Sequence, residues 1–286
     1  MSAQRRAKSL PNAAEESNFA MLYRPAPLDF ERQILVFLHI PKTAGSALDE
    51  ALKQGLGEEN CLLTRAENIG QIFPDRFRKA HWRVRKFLRE GRFRLRGRDI
   101  LLPEDVSPEA LGRFRLLDGH FSLGKEPKTG REPVYITLIR DPIERFLSDY
   151  YYRFEWAQDK QERHAFRRFE VDHFVDYVYP RRAWSELNLQ CRYLARRGNF
   201  NAARESVDRR VFLAAPSNRI DDCLGLLRPV LNLGKVQAPR SNVGRIRQIR
   251  AQPSPGAVAK IREMVAEDIR LYDYVSTAFD QLVRAV

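Results

Sequence analysis

Cysteine is scarce in this chain. Cys61, Cys191 and Cys223 are the only three in 286 residues, an odd number set far apart. None forms a Cys-x-x-Cys pair or takes a zinc spacing, so a disulfide framework and a structural zinc site are both excluded. Three ordinary thiols in a reducing compartment remain. Long apolar runs are missing too: no stretch reaches the roughly 18 apolar residues that a membrane-spanning helix needs. The opening residues, MSAQRRAKSLPNAAEESNFA, lack the apolar core of a signal peptide. The chain is therefore expected to be soluble and cytoplasmic. It has no internal repeats, no low-complexity tracts and no metal-ligand cluster.

Hydrophobic residues make up 43% of the chain. That is enough for a sizeable core and argues against global disorder. The length suits one large α/β domain or two small ones. Net charge is +13, which favours anionic partners such as nucleotides, nucleic acid, acidic glycans or a membrane surface. Charge that merely aids solubility is the plainer reading. The excess is densest at 76–98, where eleven Lys or Arg stand against a single Glu, with Trp82, Phe87 and Leu88 interleaved. This basic segment is a candidate for binding an anionic acceptor, because arginine meets carboxylate and sulfate in bidentate fashion. A solvated helix face and peripheral contact with anionic lipid head groups are the alternatives. No recognised nucleic-acid motif is present, so no specific nucleic acid is expected as a partner.

Residues 1–30 are polar and then punctuated by Pro25 and Pro27, which predicts a flexible tail or a surface strap. Residues 31–286 are expected to form a single domain. ILVFLHI (34–40) and PVYITLI (133–139) are continuous apolar runs, as in strands buried on both faces of a parallel sheet. RFRLLDGHFSLG (113–124) predicts a short strand ending at Asp-Gly-His, and RVFLAAP (210–216) is a further strand candidate. Helical spacing follows in SALDEALKQ, in RDPIERFLSDYYYRFEWA and in IDDCLGLLRPVL. Residues 257–283 predict a strongly amphipathic C-terminal helix, or two. Alternating strands and helices predict a three-layer α/β fold, P-loop-like, with a mostly parallel central sheet and flanking helices.

Two stretches carry chemistry. In FLHIPKTAGSALDEAL (37–52) a strand, a tight turn and a helix follow without a break. The unpaired N–H groups and dipole at the helix start favour an anion. Gly45 lets backbone approach closely, Lys42 adds a point charge, and Thr43 and Ser46 add hydroxyls. The common nucleotide loop GxxxxGK[ST] puts lysine at the helix start. Here lysine precedes glycine by three and no upstream glycine stands at the needed spacing. A normal kinase or ATPase loop is disfavoured, and an ordinary turn with a surface lysine is the competing reading. In the second stretch Arg140 stands at a strand tip, where open α/β sheets bind ligands. Asp141 is a plausible helix cap, Pro142 fits the first helical position, and Glu144 completes a capping box. Arg140 and Ser148 are eight residues apart and can face one groove; alternatively Arg140 pairs with Asp141 or Glu144.

Taken together, HIPKTAGS and LIRDPIERFLSDYYY resemble the sulfotransferases that use 3′-phosphoadenosine 5′-phosphosulfate (PAPS). The likeness is greatest to the glycan branch containing the heparan and uronyl 2-O-sulfotransferases. LDGHFSLG, LNLQCRYLA (187–195) and APRSNVGRIR extend it across about residues 33–283, while Ala215, Pro216 and Ser217 depart from the family's strand–helix junction. The resemblance implies that Lys42, Thr43, Ala44, Gly45, Ser46 and Ala47 cradle the 5′-phosphosulfate. It implies that Arg140 and Ser148 hold the 3′-phosphate and that Asn242 and Arg245 close over the nucleotide. His120 is implied as catalytic base, with Asp118 a candidate to orient it, and Lys42 would stabilise the leaving oxygen. His39 competes with it as the base but is read as structural, and His81, His164 and His173 as solvated. The implied reaction moves a sulfuryl group from PAPS to a hydroxyl of a glycan or glycolipid acceptor and needs no metal. A nucleotide-dependent kinase with a degenerate loop and a non-catalytic polyanion-binding protein are the rival readings.

Overall fold

The computed structural model describes residues 21–63, 111–152, the backbone of 153–156, and residues 170–181, 187–239 and 252–286. The basic segment 76–98, His81, His164, Asn242 and Arg245 lie outside these residues. Five strands form one sheet: β1 (Gln33–Leu38), β2 (Cys61–Leu63), β3 (Leu116–Gly119), β4 (Glu132–Ile139) and β5 (Val211–Pro216). Their order is β2-β3-β1-β4-β5, and every pairing is parallel. Side chains on a strand alternate between faces, yet Ile34 to Leu38 and all of β3 are buried. Both faces of the sheet are therefore covered, as an all-parallel sheet requires.

The covering helices are α1 (Gly45–Leu56), α2 (Pro142–Trp156), α3 (Val171–Val178), α4 (Leu189–Leu194), α5 (Phe200–Arg210), α6 (Ile220–Leu231), α7 (Pro255–Met264) and α8 (Ala266–Ala285). The C-terminal amphipathic stretch is thus two helices, broken at Val265. The main core joins the strands to α1, α5, α6 and α8. A second apolar cluster joins Phe146 and Tyr150 of α2 to Phe174 of α3 and Ile261 of α7. The segment from residue 21 starts beside β5 and passes along α6: Leu22 N–H donates to Val211 O at 3.0 Å, Tyr23 Oη to Leu226 O at 3.0 Å and Leu28 N–H to Val230 O at 2.9 Å. The first contact covers part of an otherwise open sheet edge.

Strand β1 ends two residues earlier than its apolar run. His39 N–H still donates to Gly119 O at 3.0 Å, but Ile40 N–H turns back to Leu38 O and Pro41 follows. Proline cannot donate to a ladder, so the strand stops and the turn begins. From β1 the chain leaves through α1 toward β2 on one side, whereas β4 leads through α2 toward β5 on the other. The carboxyl ends of β1 and β4 therefore flank the switch point of the sheet, the usual place for a ligand in this architecture.

Candidate functional site

Between β1 and α1 the backbone takes two left-handed turns at non-glycine residues, Lys42 (φ 69°) and Ala44 (φ 62°). Such φ values are uncommon for residues with a Cβ and concentrate at functional sites. Ala44 is the N-cap of α1 and has no side chain able to cap it, and the first turn carries no acidic residue. Nothing there competes with an anion for the positive end of the helix. Thr43 is fully buried and its Oγ1 donates to Ile40 O at 2.8 Å. Its hydroxyl closes the turn, so what Thr43 offers outward is backbone. Ser46 is exposed and Ala47 buried. Gly45 is required by close approach: a Cβ there would lie 2.3 Å from Nε2 of His39.

Arg140, at the end of β4, reaches the same turn. Its guanidinium NH1 donates to Lys42 O at 3.2 Å and NH2 lies 3.5 Å from Glu144 Oε2. The expected cap is present, with Glu144 N–H donating to Asp141 Oδ1 at 2.8 Å. The Glu144 side chain serves Arg140. Lys42 Nζ lies 3.9 Å from the ring centroid of Tyr152, a cation–π contact. Glu144, Ser148 and Tyr152 are four residues apart on α2 and share a face. Since Glu144 meets Arg140 and Tyr152 meets Lys42, half-buried Ser148 lies on the α2 face turned to those two cations.

On the other side of β1, at the end of β3, stands His120. Its Nδ1 is 2.6 Å from His39 O. A carbonyl oxygen only accepts, so Nδ1 carries the proton and the neutral ring keeps its lone pair on Nε2. The carboxylate of Asp118 serves the other histidine: Oδ1 lies 3.2 Å from His39 Nδ1. His39 is buried against Phe37, with ring centroids 5.2 Å apart, and against His120 at 4.6 Å. His173 is exposed on α3. Sequence reasoning missed Tyr152, Gln190 and Asp268. Gln190 brackets Arg140, its Oε1 accepting from Arg140 N at 2.8 Å and its Nε2 donating to Arg140 O at 2.9 Å. The Leu-Gln of LNLQCRYLA was the only signal for it. Among the described residues no group of three or more His, Cys, Asp and Glu is placed to hold a metal, and no helix is long and apolar enough to cross a membrane.

Residues 28–275 match the sulfotransferase family, and this chain belongs to it. The family makes it an enzyme of sulfuryl transfer and implies a sulfuryl donor and an acceptor. Among solved structures it is similar to a sulfotransferase from Alicyclobacillus acidocaldarius. That structure is 14% identical, with 87% of this chain and 99% of that chain covered, at a TM-score of 0.44. No curated protein matches the sequence.

Proposed function

We propose that this chain transfers the sulfuryl group of PAPS to a hydroxyl of a carbohydrate acceptor, as the heparan and uronyl 2-O-sulfotransferases do. The observation that carries the reading is the meeting of Arg140 with the Lys42 turn across the switch point, NH1 to O at 3.2 Å. Two cationic motifs a hundred residues apart in sequence thus meet at one end of the sheet, which supports a ligand with phosphates at both ends. The turn also fits an anion on its own terms. It has left-handed backbone, a capless helix start and no acid in the first turn.

In this reading the turn from Lys42 to Ala47 holds the 5′ end of the donor, and Arg140 with Ser148 holds the 3′-phosphate. Asn242 and Arg245 are assigned to the closing loop by resemblance alone. PAPS supplies a sulfuryl group already activated by its bond to phosphate. His120 Nε2 accepts the acceptor proton as that oxygen bonds to sulfur, and the sulfur–oxygen bond to the phosphate breaks. Lys42 and the amides at the start of α1 stabilise charge on the departing oxygen. Charge spreads over equatorial oxygens, so positioning and electrostatics supply most of the rate, as in phosphoryl transfer.

The test is nucleotide preference. Adenosine 3′,5′-bisphosphate should raise the melting temperature more than ATP does. Lys42→Ala and Arg140→Ala should each weaken its binding, by about 1.5–3 kcal/mol per lost charge-assisted hydrogen bond, with the fold retained. A preference for ATP, or unchanged affinity in folded Lys42→Ala, overturns the assignment. A screen of glycan acceptors with radiolabelled PAPS then identifies the hydroxyl.

A further inference from the structure

Gln190 has no exposed surface and no route to a ligand. Its amide is spent wholly on the backbone of Arg140, accepting from the N–H at 2.8 Å and donating to the carbonyl at 2.9 Å. Those are both main-chain groups of a residue whose side chain bridges to the Lys42 turn and to Glu144. Gln190 is itself anchored. Its N–H donates to Asp268 Oδ2 at 3.1 Å, and the next amide, Cys191 N, donates to Asp268 Oδ1 at 2.8 Å. Asp268 is fully buried at the start of α8, and its own N–H donates to Asn188 Oδ1 at 3.2 Å. A continuous set of short contacts thus runs from α8 through α4 to the backbone of Arg140.

We propose that Gln190 is the positioning residue that fixes where the Arg140 guanidinium stands, and so sets the spacing between the two anion half-sites. The inference rests on the functional reading above. Beyond the end of a strand a residue has lost part of its ladder, and its φ and ψ are held by whatever else bonds its backbone. Here a side chain provides both bonds. Without them the guanidinium, several bonds further out, samples a range of positions, and affinity falls because binding must order it again. Gln190 then acts only through Arg140. It should leave the contribution of Lys42 alone.

The experiment is a double-mutant cycle on the full chain, with adenosine 3′,5′-bisphosphate affinity read by calorimetry. Gln190→Met keeps the length of the side chain and removes both bonds. It should weaken binding about tenfold in the wild-type chain and by a similar factor in Lys42→Ala. In Arg140→Ala, where no guanidinium is left to place, the loss should shrink to less than about twofold. Should Gln190→Met fail to fold, Gln190→Asn takes its place in the same cycle, since its shorter amide stays polar but cannot span both backbone groups. Equal losses in all three backgrounds would mark Gln190 as merely structural and overturn the inference, as would wild-type affinity in Gln190→Met. A wild-type chain that does not bind the nucleotide, or an Arg140→Ala chain that binds it normally, overturns the functional reading and this inference with it.

Discussion

His120 owes its usable nitrogen to a backbone carbonyl. Nδ1 sits 2.6 Å from His39 O and must donate, so Nε2 is the basic atom of the neutral ring. In the proposed reaction His120→Ala should lower kcat by about 10²–10⁴-fold while nucleotide affinity stays near normal. Activity should also fall in acid, because protonating Nε2 removes the lone pair that takes the acceptor proton. His39→Ala should instead lower the melting temperature, since the ring is buried among Phe37, Asp118 and Gly45. Steady-state kinetics beside thermal melts separate the two, and a folded His120→Ala enzyme of full activity removes it as the base. Gly45 packs against the same ring. A Cβ there would lie 2.3 Å from Nε2 and 2.4 Å from Cδ2 of His39, a ring held by Asp118. Gly45→Ala should destabilise by about 1–3 kcal/mol, the usual cost of overpacking, readable as a lowered urea midpoint. A midpoint equal to wild type would mean that the ring moves aside freely. The glycine was legible in sequence as a point of close backbone approach. What approaches it was not, because His39 lies six residues earlier and its rotamer is set by Asp118, from another strand.

At the scale of elements, α4 shows how a short helix is held. Its N-cap, Asn188, makes no side-chain cap bond. The buried amides of its first turn, which have no partner within the helix, are taken by Asp268 from the start of α8. A six-residue helix is marginal in isolation, so this borrowed cap decides whether it forms. Asp268→Ala should therefore be costly, because two donors and the nearby Arg145 charge lose a fully buried partner. Leaving a buried amide donor without its acceptor typically costs about 1–3 kcal/mol. Burial pushes the Asp268 carboxyl above its usual 3.8, against the opposing pull of Arg145 and the two amides. The native state thus keeps this proton longer than the unfolded chain does. The stability tied to it is full below that usual value and fades as pH rises through the native one. The gap between wild type and Asp268→Ala in urea unfolding should be widest in acid; a gap that widens toward neutral pH would contradict the shift. Strands β1 and β4 and helices α1, α2 and α6 were legible from apolar runs and helical spacing. Strand β2, three residues long, and helix α4, six, are too short to show a period. Both are specified by partners distant in sequence, β2 by β3 and α4 by α8.

For the molecule as a whole, the parallel sheet brings to one edge what the sequence keeps apart. Lys42, His120 and Arg140 follow three adjacent strands, β1, β3 and β4, and parallel pairing puts all three carboxyl ends on the same side. The order of motifs could be read in one dimension, but their meeting depends on β1 lying at the centre, which no local pattern encodes. The reverse holds for the cysteines, whose far spacing already excluded a disulfide framework. All three thiols are buried and free. Burial, reinforced by Asp49, pushes the Cys61 thiol up to about 12, and burial does the same at Cys223. Cys191 is also raised, by burial and then by Asp268. Only the thiolate reacts with a disulfide reagent. The native chain should therefore leave such a reagent almost unconsumed at pH 8 and release three equivalents once guanidinium unfolds it. The same shifts set an alkaline limit. The unfolded chain loses its thiol protons near the usual 9.0 while the native chain keeps them. Stability should thus hold below that pH and fall as pH rises from about 9 toward 12. A thiol that titrates rapidly in the native protein at pH 8 would show that one of these cysteines is reached by solvent, and the core around it would have to be redrawn.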